Sequence, residues 1–476
     1  MGGTSQDFGF VSYFGSLSYD FQKKYFIDLT VRRDGSSRFA PGNKFGTFPG
    51  VAISWAIDKE SFMENVDWIN ALKIRSSFSI MGNDRIDQFQ YLNSYALGYP
   101  TNAQGNGWYQ PNGYVFGTPG VALGGFGRSV VPNEQVTWET ADMMNVGLSF
   151  SLFDSRLSGD FNYFYQKRTD ILVGSSGVPD ISGGLTGSAL PDENIGEVNN
   201  FGWEFELGWR DQIGEVDYNF GFNFTNAQNE VVTLGESDNV PDYRKREGKS
   251  VNSYIVFPTA GIFRDQAQVD ATAVKKDGTV EGEPIYLDTN EDGVISADDR
   301  IRVDTSAIPE IQYGIYGGIN YSNWNFNFLF QGQAQADVLV FFDQSGAKPD
   351  FVFNDRWTPN NRDASYPRAF AQGDTYSGVQ NQIAASAVNS GFEGADLYLK
   401  DASFLRLKEI EIGYTLTKDV TKFADIKISL RGFNVLTMFS DIYDLGLDPE
   451  ATGYNNFRNS TYPSLKSYTL GLNINF

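Results

Sequence analysis

The chain contains no cysteine and no histidine. Without cysteine there can be no disulfide, which suits a fold that needs none. Without histidine, Ser-His-Asp and Cys-His catalysis and the usual zinc sites are excluded. Positive charge is scarce too: Lys and Arg number 37 against 59 Asp and Glu, for a net charge of −22. Nucleic acid demands a basic face, so it is excluded as a partner. An acidic surface suits divalent cations or simple solubility. Long apolar runs are missing, so no segment offers the roughly 20 apolar residues of a membrane-crossing helix. The negative mean hydropathy leaves a membrane barrel open, because only alternate residues of a barrel strand face lipid. The opening Met1-Gly2-Gly3-Thr4-Ser5-Gln6 is polar and lacks the apolar segment of an export signal. The expectation is either a protein that is not exported or a chain whose start has been removed.

What is abundant is aromatic residues, 15%, and glycine, 50 residues. The closing stretch from Lys466 to Phe476 shows how they are used. Tyr468, Leu470, Leu472, Ile474 and Phe476 fall on one side of an extended chain, and Ser467, Thr469, Gly471, Asn473 and Asn475 on the other. The run is about as long as a tilted membrane-crossing strand, roughly 9–11 residues, and it ends on an aromatic residue. An edge strand of a soluble sandwich alternates in the same way, so the decision rests on repetition.

The pattern does repeat. Strands are expected around residues 15–21 and 25–31, then at Val51–Trp55 and Leu72–Ile80. Further pairs fall at 146–152 and 157–165, 201–209 and 216–224, and 311–319 and 324–330. The last three lie near Phe404–Thr415 and Ile426–Val435 and at the closing strand. Arg32 to Gly46 reads as a loop. Asp58 to Asn70 reads as a helical turn with Phe62, Met63 and Trp68 packed. Long polar excursions span 83–140, about 168–200, 227–310, 331–402 and 436–465. Short and long connections alternate through thirteen strands, the asymmetry of an outer-membrane barrel with turns on one side and loops on the other. One face is repeatedly aromatic, while the other carries Asn, Ser, Gly and Thr where a soluble sheet carries more Lys and Glu. Thirteen reversing strands leave the first and last parallel, whereas a closed bacterial barrel needs an even number. At least one strand, before Met1, is therefore expected to be missing.

The sharpest local motif is Asp288-Thr289-Asn290-Glu291-Asp292-Gly293-Val294-Ile295-Ser296-Ala297-Asp298-Asp299. Oxygens of Asp288, Asn290 and Asp292, the Val294 carbonyl and the carboxylate of Asp299 match a calcium loop of EF-hand type. Asp299 is shorter than the usual Glu, and no clear helices flank the loop. The competing interpretation is an acidic turn stabilised by its own side chains. Loop aromatics form a second constellation: Tyr95, Tyr99, Trp108, Tyr109, Tyr114, Phe341, Phe342 and Trp357 suit stacking on sugar rings or peptide side chains, or else pack loop cores. Asp298/Asp299 and Glu409/Glu411 are the acid pairs a glycosidase reading would use. Lys167-Arg168 and Arg244-Lys245-Arg246 read as solvated loop charges.

Several blocks resemble the SusC-like TonB-dependent transporters. They are Leu29 to Phe39, Ile74 to Asn83, Trp138-Glu139-Thr140 with Asn145 to Leu148, and Ile195 to Val198 with Gly202-Trp203-Glu204. Tyr398 to Lys408 and Gly446 to Glu450 complete the series. The resemblance implies an all-β fold, a transmembrane antiparallel β-barrel with long extracellular loops. Residues 1–476 would be the C-terminal portion of a barrel of about 22 strands, a size at which the lumen is plugged. Signal peptide, TonB box and plug have no counterpart here. The resemblance further implies a non-enzymatic part in outer-membrane import of oligosaccharides or peptides. Its partners would be a SusD-like surface lipoprotein, outer-membrane lipid, the missing N-terminal plug and barrel part, and TonB through that part. A soluble secreted glycan-binding protein, monodisperse without detergent, is the first alternative. A glycoside hydrolase that loses turnover when one of two acids is neutralised is the second.

Overall fold

The computed structural model describes residues 8–97, 114–116, 121–123, 126–130, 132–174, 191–340, 353–369, 393–450 and 463–476. Alternating apolar and small polar residues place the chain in one antiparallel sheet of thirteen strands, each paired with its sequence neighbour among the long strands. We number them β1 Phe10–Phe21, β2 Tyr25–Ser36, β3 Phe45–Ala56, β4 Ile69–Asn83, β5 Glu139–Leu152, β6 Leu157–Val173 and β7 Glu193–Ile213. The rest are β8 Val216–Thr233, β9 Ile311–Tyr321, β10 Trp324–Ala334, β11 Phe404–Leu416, β12 Asp425–Met438 and β13 Ser467–Asn475. Among the described residues β1 and β13 do not pair with each other, so each carries an open row of backbone N–H and C=O groups.

The register assembles the apolar residues of separate strands into continuous rows. Leu472 lies opposite Ile428, Ile428 opposite Tyr414, Tyr414 opposite Trp324 and Trp324 opposite Tyr321. At the other edge Leu17, Leu29, Val51 and Phe78 form an equivalent row. No second sheet covers these rows among the described residues: Leu470 is 77% exposed and Leu472 66%. In water so large an apolar face would be an aggregation liability. Against acyl chains it is the outer band of a barrel wall.

The buried core lies instead at one end of the wall, among the long connections. Phe39, Phe48, Val136 and Trp138 form one cluster there, and Ala336, Val338, Val340, Ala402 and Ile442 another. The connections after β8 and β10 are knitted together by a small sheet. In it Ile255–Phe257 pairs antiparallel with Ile301–Arg302 and parallel with Glu393–Ala395.

Four local expectations are corrected. The β2–β3 loop is only 37–44, because Arg32 to Ser36 and Phe45-Gly46 continue the strands. It is shorter than the β3–β4 connection of 57–68 on the opposite end, so the short–long alternation is not strict. That connection makes two 3₁₀ turns, Ile57–Lys59 and Ser61–Met63, and leaves Phe62 exposed, while Trp68, half exposed, stacks on Phe153 with ring centroids 5.8 Å apart. Strands β6, β7 and β8 run far past their apolar segments. At roughly 3.3 Å per residue the 21 residues of β7 span about 70 Å, well beyond a hydrocarbon core of about 30 Å. Their polar upper halves gave no apolar signal because they stand above the lipid.

A substitution on one strand separates lipid from water as the medium around the apolar face. Leu472→Arg is expected to cost about 2–4 kcal/mol in urea unfolding from vesicles, the penalty of a cation near the bilayer midplane. Asn473→Asp, on the opposite face beside Lys427, is expected to change stability little. A near-zero cost for Leu472→Arg would mean that this face meets water.

Candidate functional site

The face opposite the apolar rows lines the inside of the curved wall, and its polar side chains are cross-linked. Arg75 on β4 reaches across β5 to Asp160 on β6, with Nη1 donating to Oδ2 at 2.9 Å. Ser149 and Asn162 complete the cluster. Gly147 sits between them, and a Cβ there would lie 2.6 Å from both Arg75 Nε and Asn162 Oδ1. The absent side chain is what lets the guanidinium cross. Farther round the wall, Glu411 on β11 accepts from Lys427 Nζ at 2.9 Å, Arg431 Nε at 2.7 Å and Asn325 Nδ2 at 3.2 Å. Between these clusters a cavity of about 430 Å³ is lined by Asp160, Glu206, Trp209, Arg210, Asn219 and Tyr316.

At the loop end a second cavity, about 520 Å³, is lined by Asp304, Thr305, Glu310, Gln335, Asp337 and Asp401. Burial pushes the Asp337 carboxyl up, Thr305 opposes that by hydrogen bonding, and the facing Asp401 adds to it. Carboxylates, amides and hydroxyls are thus presented on the inner surface of the wall and its loops. Such groups can hydrogen-bond a solute rich in hydroxyls or amides.

The motif residues separate into distinct fates. Trp357 is only 6% exposed, packs against Gly282, and donates from Nε1 to the Arg264 carbonyl at 3.2 Å. It belongs to a loop core with Ile262 and Ala364, not to a ligand surface, because the loops need cores of their own. Tyr95 and Tyr114 fall in the short strands Ser94–Leu97 and Tyr114–Phe116. Tyr99, Trp108, Tyr109, Phe341 and Phe342 lie outside the described residues.

In the acidic loop, Asp288 accepts from the amides of Asp292 and Gly293 at 3.2 and 2.8 Å. Asn290 Oδ1 accepts from the Asp292 amide, and Asp292 from that of Val294. Asp299 is buried and accepts from the amides of Thr289 and Ser296. Gly293 takes φ +82°, the left-handed conformation that closes the turn.

The acid pairs are spent on structure. Asp298 binds Arg244 at 2.6 Å, and Glu409 lies 3.3 Å from Arg431, which also binds Glu411. Nor are Lys167 and Arg168 solvated loop charges. They stand on β6 and pair with Glu197 and Glu139, while Lys245 pairs with Asp242.

Sequence reasoning missed one assembly whose parts were in view. Arg406 on β11 is buried and donates to Thr437 Oγ1 at 2.9 Å and to Asp448 at 2.7 Å. It also contacts Glu450, which accepts from Lys408 Nζ at 2.7 Å. The block ending at Lys408 and the block Gly446 to Glu450 are therefore one ion network, which ties the last long connection to the wall. Burial alone raises the Asp448 carboxyl. The Arg406 guanidinium and hydrogen bonds from Ser464 and Glu450 outweigh that and hold it below the ordinary carboxylate range. Arg406→Met leaves Asp448 buried without its cation and is expected to cost about 3–5 kcal/mol in urea unfolding at neutral pH. Because the folded value is depressed, this contribution is present above the unfolded carboxylate range and is lost on acidification. The gap between wild type and variant should close as pH falls.

Comparison with known proteins agrees with this architecture. The family model for the TonB dependent receptor-like β-barrel matches residues 2–435. TonB-dependent receptor P26 of Formosa agariphila is 29% identical over 498 residues, covering 98% of this chain and 46% of its own length. TonB-dependent receptor SusC of Bacteroides thetaiotaomicron is 28% identical over 479 residues, covering 98% and 44%. The chain thus spans about half the length of these relatives. The RagAB peptide transporter structure superposes with a TM-score of 0.68 at 22% identity, over 98% of this chain and 48% of that one, and shares the fold. With its thirteen-stranded lipid-facing wall, the chain belongs to the TonB-dependent receptor-like β-barrel family, as a SusC-like member located in the outer membrane.

Proposed function

We propose that this chain forms about half of the barrel of a SusC-like nutrient importer that takes up oligosaccharides or peptides. The observation that carries this is the two-faced wall: apolar rows outside, cross-linked polar groups and two polar cavities inside, and a packed loop assembly at one end. Open strand edges cannot stand in lipid, because their N–H and C=O groups would lack partners. Strands β1 and β13 are therefore completed by further barrel strands outside these residues. A plug from the same outside part would gate the lumen and receive energy through TonB. A SusD-like surface lipoprotein would cap the loop assembly and deliver solute. A peptide cargo is in keeping with the likeness to the RagAB peptide transporter.

Cells expressing the whole protein as their sole importer should accumulate labelled oligosaccharide or peptide only when TonB is intact. Uptake that persists without TonB would sink the importer reading.

We further propose that residues 288–299 hold calcium through Asp288, Asn290, Asp292, the Val294 carbonyl and Asp299. Each carboxylate oxygen has two lone pairs and gives one to an amide, so lone pairs remain for an ion. Calorimetric titration with calcium should yield binding heat for wild type and none for Asp288→Ala. Equal heats would leave the loop as a self-stabilised turn.

A further inference from the structure

The β3–β4 connection is the longest on the end of the wall away from the packed loops, and it is built unlike its neighbours. The connections at 22–24, 153–156, 214–215 and 322–323 are tight turns. This one makes two successive 3₁₀ turns over residues 57–68.

Its direction is set by Glu60. The carboxylate accepts from the Tyr25 hydroxyl, from Trp55 Nε1 at 3.0 Å and from Lys24 Nζ at 3.2 Å. Tyr25 and Trp55 face each other across β2 and β3, in register with the outward row of Phe21 and Ile74. Their rings stack with centroids 6.4 Å apart. Glu60 therefore grips the polar tips of two side chains whose ring faces belong to the lipid-facing side. Asp58 fastens the other limb by accepting from the Leu72 amide at 3.2 Å.

The connection is thus tied through Glu60 to side chains of the outward-facing row. Two residues past the clamp stands Phe62, 63% exposed, while Trp68 at the return is half exposed and stacks on Phe153. A large aromatic left bare beside a continuous apolar band has a solvent to match, and rings with polar tips concentrate at membrane–water boundaries.

We propose that the 57–68 connection is a membrane foot. It lies in the interfacial layer of the periplasmic leaflet, with Phe62 inserted among phospholipid chains and Glu60 holding it to β2 and β3. The occupant is phospholipid, because the Tyr25 and Trp55 rings that Glu60 grips stand in the lipid-facing row with Phe21 and Ile74. A periplasmic protein is the competing occupant.

The absence of cysteine makes the test direct. In the full protein, with any thiol outside these residues replaced by serine, Phe62→Cys is labelled with bimane. The protein is reconstituted in phosphatidylethanolamine–phosphatidylglycerol vesicles. Leu472→Cys serves as the lipid-facing reference and Glu215→Cys as the aqueous-turn reference. The label at 62 should be quenched by lipids carrying a nitroxide near the headgroup, more strongly than by lipids carrying it near the chain end, and should resist aqueous iodide. Adding Glu60→Gln should raise its iodide quenching. Iodide quenching equal to that at 215 would overturn the proposal. So would shielding from both quenchers that appears only when periplasmic extract is added, the result a protein occupant predicts.

Discussion

The pairing of every backbone N–H and C=O inside a low-dielectric slab is the constraint on which the rest depends. An unpaired peptide group in hydrocarbon costs several kcal/mol, so the chain crosses as strands laid edge to edge in one sheet. Side chains contribute little to that pairing, which leaves each face free to match its surroundings. Among the described residues the outer face has no protein neighbour, and its burial comes from lipid. The inner face can therefore be polar without forfeiting a hydrophobic core, because none was ever located there.

The core is displaced to the loop end, where water returns and a loop must bury apolar residues of its own. Phe39 and Trp138, Val256 and Leu339, and Trp357 and Ala364 do this in separate clusters. The clusters are fastened to one another by short strands and buried ion pairs such as Arg368 with Glu283 and Arg406 with Asp448. These pairs fix where each loop sits relative to the wall, which apolar contact alone leaves less specific. The loop assembly is a packed body on a one-layer base.

Much of this was legible in the residues. The thirteen strands, the aromatic outer face and the last strand at 467–475 follow from period-two alternation, which lipid enforces on every crossing. The upper halves of β6 to β8 were not legible, because above the bilayer nothing obliges one face to be apolar. Trp357 shows the same limit for the candidate site. An aromatic residue in a loop looks identical in sequence whether it faces solute or closes a small core, and only its 6% exposure decides. The foot at 57–68 was visible as a turn but not as an outward one, since the clamp on Glu60 joins residues from three separate elements.

Sequence by itself determined which side of each strand faces lipid, how many strands cross, and which chemistries are excluded for want of histidine and cysteine. Tertiary structure alone decided how the two last blocks, around Arg406 and around Asp448, combine, which acids are paired, and which aromatics are exposed. The physical reason is range. Alternation acts between residues two apart and is written along the chain. Ion pairs and loop cores join residues dozens of positions apart, and they exist only once the sheet has brought its strands into register.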